Sequence, residues 1–288
     1  PDNAYSPGGG TSAAAPGIAG VLTQLHQAYR ELNNGDDAPS ALLKASVLNT
    51  AYDLGNPGPD FKFGWGKVNA YKAMKTIEEG RYIFDSVSNG NVDLHTLAVP
   101  TGVQEMRVMV YWHDVEASVT SAYALVNNLN MIITDPLATI HQPLVLDHTP
   151  NATTLDYDAV PGNDSINNVE QIRISNPSQG NYTISITGAA IPQGPQTYFI
   201  VYEYTYNEIH LTYPNGGEGL IPGSAERIHW DAHGTVGNFT AEYTLNGSTW
   251  TTISNIIPGN ARFTDFTVPN TVSVGKVRIS RNSISDES

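Results

Sequence analysis

The hydrophobic period of this chain changes once, near Arg81, and that change limits what it can fold into. Upstream, Ile18, Leu22, Leu25, Tyr29 and Leu32 recur at spacings of three and four, which marks one face of a helix. Asn33-Asn34-Gly35 closes that stripe with residues that tolerate the left-handed conformation at a helix end. Asp37 followed by Pro39 predicts a second helix, capped by the acid with the proline in its first turn, and with Ala41, Ala45 and Leu48 on one face. A third short helix is expected from about Asn69 through Ala70, Ala73 and Ile77. Almost no strand falls among these helices. Their apolar stripes must therefore dock on the segment that follows, or on a neighbouring molecule.

Downstream the period is two. Met106, Val108, Val110 and Trp112 alternate with Arg107, Met109 and Tyr111, and Leu129, Met131 and Ile133 alternate in the same way. Tyr182, Ile184 and Ile186, then the run Tyr198–Tyr202, read as further strands, with turns rich in Pro, Gly, Asn and Asp between them. This is the pattern of an antiparallel sandwich or jelly roll. A second β-module starts near Glu208, and about seven short strands in its eighty-odd residues suggest an immunoglobulin-like sandwich. The expected fold class is mainly β with an α-helical N-terminal piece, and the expected boundaries are 1–80, 81–206 and 207–288.

The balance of charge narrows the function classes. The formal charge of −14 comes mainly from a shortage of Lys and Arg, 14 against 28 Asp and Glu. A nucleic-acid binder needs clustered basic residues, which are missing here. No apolar run approaches the roughly 18–20 residues that span a bilayer. There is no cysteine, so thiolate chemistry, disulfides and Cys-based metal sites are excluded. An acidic chain of this kind suits a secreted protein or one that holds divalent cations. Both ends read as cut from something longer.

The string GGTSAAAPGIAG, residues 9–20, carries the chemistry. Ser12 stands at the start of a helix, where unpaired N–H groups and the positive dipole end stabilise developing negative charge. Small side chains around it let a substrate approach the backbone. The alternative is that Thr11 or Ser12 merely caps the helix. The full string Gly10-Thr11-Ser12-Ala13-Ala14-Ala15-Pro16 resembles the serine motif of the subtilisin-like serine proteases, the subtilases. The resemblance continues through Leu48-Asn49-Thr50-Ala51 to Phe63-Gly64-Trp65-Gly66-Lys67-Val68-Asn69-Ala70, which is similar to the family's closing G-x-G-x-x-N-A segment.

That resemblance implies the C-terminal part of a truncated subtilisin-like α/β catalytic domain. Ser12 would be its nucleophile, with Gly10 and Thr11 beside the oxyanion hole. The family order is Asp, then His, then Ser, yet only eleven residues precede Ser12, and Asp2 and Asn3 are too close to serve. The triad Asp and His and the oxyanion Asn would thus belong to a missing upstream segment. His233-Gly234-Thr235 looks like the start of the family's histidine motif, but it lies in the last β-module and reads as a turn. Without a base the hydroxyl is a poor nucleophile, so the chain alone is expected to be inactive.

The segment from about 82 to 205 resembles the β-barrel domain that follows the catalytic domain in some secreted alkaline subtilases, a jelly-roll-like relative of the P-domain. Val110–Asp114, Leu125–Asn130 and Asn167–Glu170 carry the likeness. Some such domains hold calcium, which takes six to eight oxygen ligands. Asp114, Asn127, Asn128, Asn130, Asp158, Asp164, Asn168 and Glu170 could supply them, or could instead shape turns. Where the related proteins tend to have LVNDLDL this chain reads LVNNLNM, so amides at Asn128 and Asn130 replace two carboxylates and should weaken a cation site.

In the last module, His210–Glu218, Ile228–Trp230 and Asn246–Trp250 resemble immunoglobulin-like modules appended to secreted bacterial hydrolases, with Trp230 and Trp250 expected in its core. The whole reads as the C-terminal portion of a secreted serine endopeptidase, extracellular or at the cell surface, acting on protein or peptide. The rival reading is a non-catalytic adhesion or carbohydrate-binding protein built from β-modules.

Overall fold

A computed structural model describes residues 8–288; Asp2 and Asn3 lie outside them. The chain forms two compact units, one ending at Tyr204 and one running from Thr205 to Ser288.

The first unit opens with three helices, α1 (Thr11–Leu32), α2 (Ser40–Asn49) and α3 (Ala70–Glu78). Strands follow as β1 (Tyr82–Val87), β2 (Val92–Val99), β3 (Val103–Tyr111), β4 (Asn128–Thr134), β5 (Ile140–His141), β6 (Leu144–Val145), β7 (Val160–Pro161), β8 (Val169–Ser175), β9 (Gly180–Ala190) and β10 (Gln196–Tyr206). They build two antiparallel four-stranded sheets, β1-β10-β3-β8 and β2-β9-β4-β5, with a small β6-β7 ribbon.

β3 explains why the helices belong to this unit. On one side Met106, Val108 and Val110 are fully buried, as are Leu129, Met131 and Ile133 of β4 and Ile184 and Ile186 of β9. On the other side Met109 and Tyr111, with Phe199 and Val201 of β10, pack against Leu25, Leu42, Ala45, Ala73 and Ile77 of the three helices. From Val108 onward the strand is therefore apolar on both faces, although Glu105 and Arg107 lie earlier on the same side as Met109 and Tyr111. Docking on the β-module is how the helical stripes find cover.

Helix ends follow local chemistry. Asn33 closes α1, with Asn34 (φ 56°) and Gly35 (φ 93°) in the left-handed region. The start of α2 differs from expectation: its N-cap is Pro39, without a side-chain cap bond. Asp37 instead accepts a 2.6 Å hydrogen bond from Arg30 and lies 3.5 Å from His26. Asn69 caps α3, its side chain accepting from Lys72 N–H at 3.0 Å.

The second unit contains β11 (Ile209–Tyr213), β12 (Ala225–Ala232), β13 (Phe239–Thr244), β14 (Thr251–Ile257), β15 (Phe263–Thr267), β16 (Lys276–Arg281) and β17 (Ile284–Glu287). Its sheets are β11-β12-β15 and β14-β13-β16-β17. Between them Trp230 meets Phe239 edge to face at 5.1 Å, surrounded by Ile228, Phe266 and Ile279. Trp250 departs from expectation. It is half-buried outside that core, with the Arg278 guanidinium 4.0 Å from its ring centroid. Such a cation over a partly exposed indole is worth about 0.5–1 kcal/mol.

Candidate functional site

α1 begins at Thr11 with Gly10 as its N-cap, and no side chain caps it. Gly10 adopts φ 97°, a conformation in which a side chain would be strained. Its carbonyl accepts from Ala13 N–H at 3.0 Å and Ala14 N–H at 3.2 Å. Ser12 therefore lies in the first turn, not at the cap. Among the described residues nothing bonds its hydroxyl, and nothing accepts from the N–H of Thr11 or Ser12. Capping does not account for either residue.

The first turns of α1 are bare. Every residue from Thr11 to Gly20 is exposed except the half-buried Ile18, and a Cβ added at Gly17 or Gly20 would meet nothing within 4 Å. Pro16 lacks the N–H that would bond the Ser12 carbonyl four residues earlier. That carbonyl has no donor four residues on, although α1 continues unbroken to Leu32.

The segment between α2 and α3 shows what its glycines do. Tyr52 and Lys67 exchange two backbone hydrogen bonds of 2.8 and 2.9 Å. Gly66 (φ 106°) passes so close that a Cβ there would lie 2.0 Å from the Tyr52 carbonyl oxygen. Asp60, absent from the sequence-based candidates, organises this loop. Its carboxylate accepts from the N–H of Asn56 (3.1 Å), Lys62 (2.7 Å) and Phe63 (2.6 Å). Desolvation pushes its pKa up, but these three bonds together with the Lys62 charge outweigh it and hold the carboxyl below its ordinary value.

No described histidine bonds Ser12. His26 is fourteen residues along the same helix, roughly 21 Å at 1.5 Å per residue. His113 contacts Ser40 Oγ at 3.3 Å, His95 the Tyr198 hydroxyl at 2.8 Å and His141 Asp135 at 3.4 Å. His210 pairs with Glu208 at 2.9 Å, and the His229 ring lies against Phe263. His233 falls in the connection between β12 and β13, where its carbonyl accepts from Arg281.

The candidate cation ligands divide into two groups. Asp114 accepts from the N–H of Val115, Val126 and Asn127 at 2.6–3.0 Å, which folds the loop ahead of β4. Asn127 is fully buried and fully bonded. Its amide donates to Gln193 O and Gln196 Oε1 and accepts from Gln193 N–H. Asn168 donates to the Trp112 carbonyl at 2.6 Å. Asp158 is exposed. Asp114, Asn127 and Asn168 thus shape the chain.

The second group is different. Glu170 is 1% exposed and faces Val110 in the β3–β8 register. Its Oε2 accepts from Met131 N–H at 2.6 Å, whereas its Oε1 has no partner. Burial, reinforced by the Asp164 charge, pushes its pKa up to about 8 against the bonds from Met131 and Asp164 N–H. Asn128 Oδ1 and Asn130 Oδ1 are likewise buried and unpartnered. Asp164 is 7% exposed and accepts from Ile166 N–H, Asn167 N–H and Asn167 Nδ2.

Comparison with known proteins bears on the first site. The profile of the subtilase family, peptidase S8, matches residues 1–66. The Neisserial autotransporter lipoprotein NalP of Neisseria meningitidis serogroup B is 42% identical over 65 residues, 23% of this chain and 6% of that protein. The serine protease/ABC transporter B family protein tagA of Dictyostelium discoideum is 24% identical over 211 residues, 67% of this chain and 12% of that protein. The chain thus spans a small fraction of either relative. Among solved structures, the Bacillus licheniformis lipase BlEst2 in propeptide form aligns at a TM-score of 0.26 and 12% identity, over 69% of this chain and 36% of that one. A score that low says nothing about the fold.

Proposed function

With residues 1–66 matched to the subtilase family, we propose that this chain is the C-terminal portion of a secreted or cell-surface subtilisin-like endopeptidase, with Ser12 as its nucleophile. The observation that carries the reading is the state of Ser12. Its hydroxyl neither caps α1 nor bonds any described residue, and its own N–H is open in the first turn. Ser12 Oγ attacks the scissile carbonyl of a protein or peptide and forms an acyl-enzyme. The Ser12 N–H donates to the oxyanion, and Gly10 and Thr11 border that position. The imidazole that takes the serine proton, the Asp that orients it and the second oxyanion donor, an Asn, come from upstream catalytic sequence. The bare small-residue turns of α1 leave room for that part of the domain to approach closely.

The test compares the chain alone with the chain joined to an upstream subtilase segment carrying the Asp and His motifs. Both are treated with a fluorophosphonate probe and a fluorogenic peptide. The joined protein is expected to label at Ser12 and to hydrolyse peptide. Ser12→Ala should lower kcat by on the order of 10⁶, and the chain alone should be inert. Turnover by the chain alone, or a folded joined protein that neither labels nor cleaves, overturns the proposal.

A further inference from the structure

The connection from β3 to β4 is tied at its base and held by little else. Asp114 accepts from the N–H of Val115 at one end and from those of Val126 and Asn127 at the other. Just before it, Trp112 Nε1 donates to the Asn127 carbonyl at 2.9 Å. Between these ties, and among the described residues, positions 116–124 hydrogen-bond only to one another, through Ser118, Thr120, Ser121 and Tyr123. All of them are exposed except the half-buried Ala117, and Val119 reaches 99% and Tyr123 66%. Their sequence, EASVTSAYA, has neither Gly nor Pro.

To be cut, a segment must leave its fold and lie extended in a protease cleft, which favours exposed stretches that open at small cost. Opening 116–124 breaks only the loop's own hydrogen bonds and uncovers no buried residue. The other bare stretches are better held. Residues 269–275 begin with Pro269, and Ser273 Oγ ties them to the Leu245 carbonyl. The loop at 53–63 is braced by the Asp60 carboxylate, and the turn at 214–218 by Glu218, which accepts from Asn215 and Gly216 N–H. The first turns of α1 are as exposed, but they must unwind from a helix.

We infer that residues 116–124 are a processing site, hydrolysed by an endopeptidase that accepts small or aromatic side chains, and that the nicked chain stays assembled. The scissile C–N bond breaks at the expense of one water, whose hydroxyl completes the new carboxyl and whose hydrogen completes the new amine. A protease that requires Lys or Arg finds no target here, since neither occurs between Arg107 and Arg173. The two pieces hold together through the sheets. β3 lies between β10 and β8 in one of them, and β4 between β9 and β5 in the other. Met106, Val108, Leu129 and Met131 of these two strands are fully buried. The Asp114 carboxylate then spans the cut, staying with the first piece while it holds the N–H groups of Val126 and Asn127 on the second. The inference does not depend on Ser12.

The test digests the full chain briefly with elastase and, separately, with chymotrypsin, and maps the fragments by mass spectrometry. Beyond α1, the first cut by each enzyme should fall within 116–124, after Tyr123 for chymotrypsin. The nicked protein should elute from gel filtration like the intact one and come apart only on denaturation. Thr120→Pro combined with Ala124→Pro leaves Val119 and Tyr123 in place but removes the N–H that follows each. That variant should melt like the parent, while both first cuts slow by about tenfold or more. A first cut beyond α1 that lies elsewhere, pieces that separate under native conditions, or an undiminished rate in the folded proline variant would each overturn the site.

Discussion

Asp60 shows how much one carboxylate can hold. It is 5% exposed, and three backbone N–H groups converge on it from Asn56, Lys62 and Phe63. Since its folded pKa lies below the ordinary value, its contribution is fully present above the unfolded pKa, near 3.8, and is lost as pH falls through the folded pKa. Asp60→Asn keeps one acceptor but turns an NH₂ toward an N–H donor, so it should cost about 1–2 kcal/mol at neutral pH. Urea unfolding of both proteins between pH 2 and pH 7 checks this: the two curves should converge at the acid end, and a constant difference contradicts the assignment. Residues with a backbone role were legible only within a motif. Gly66 and Asn69 announced themselves by spacing, whereas Asp60 did not, because nothing local marks an aspartate whose partners are amides of a folded loop. Asn128 and Asn130 stood among the candidate ligands, but nothing in the sequence set them apart from their neighbours. Neighbouring Asn127 has the same chemistry and is fully bonded, a difference that only burial creates.

At the scale of elements, α1 is two helices in one. From Val21 onward it packs through Leu22, Leu25 and Tyr29 into the helix–sheet core. Before that it rests on its own hydrogen bonds, with Gly17, Gly20 and Pro16 all lowering helix propensity. Hydrogen exchange should therefore separate the halves: amides of residues 13–20 should exchange at least about 100-fold faster than those of residues 21–32. Equal protection would mean that the serine-bearing turns are held by something other than intrahelical bonds. Periodicity located α1, α3 and the longer strands well, since Leu25, Ala73, Ile77, Ile184 and Ile186 are the residues the core takes. On β3 the alternation did not disclose that Met109 and Tyr111 are buried as well. A strand between helices and a second sheet has no outward face, and the period of two cannot reveal that.

For the whole molecule, each compact unit has its own core. In Thr205–Ser288 that core is Trp230 and Phe239 with Ile228, Phe266 and Ile279. Residues 205–288 expressed alone should unfold cooperatively in urea, with Trp230 reporting the transition through a red shift. A gradual, featureless change in emission would show that this unit depends on the rest of the chain. The helices and the strands that follow them are a different case. Sequence suggested a boundary near residue 80, where the period changes, but Met109, Tyr111, Phe199 and Val201 contribute to a core shared with α1, α2 and α3. Exchanging that β-module for an unrelated one would require apolar side chains at four matched places on two strands. Shuffling the chain at residue 80 would strip the helices of their floor, so recombination should preserve the two as one heritable block.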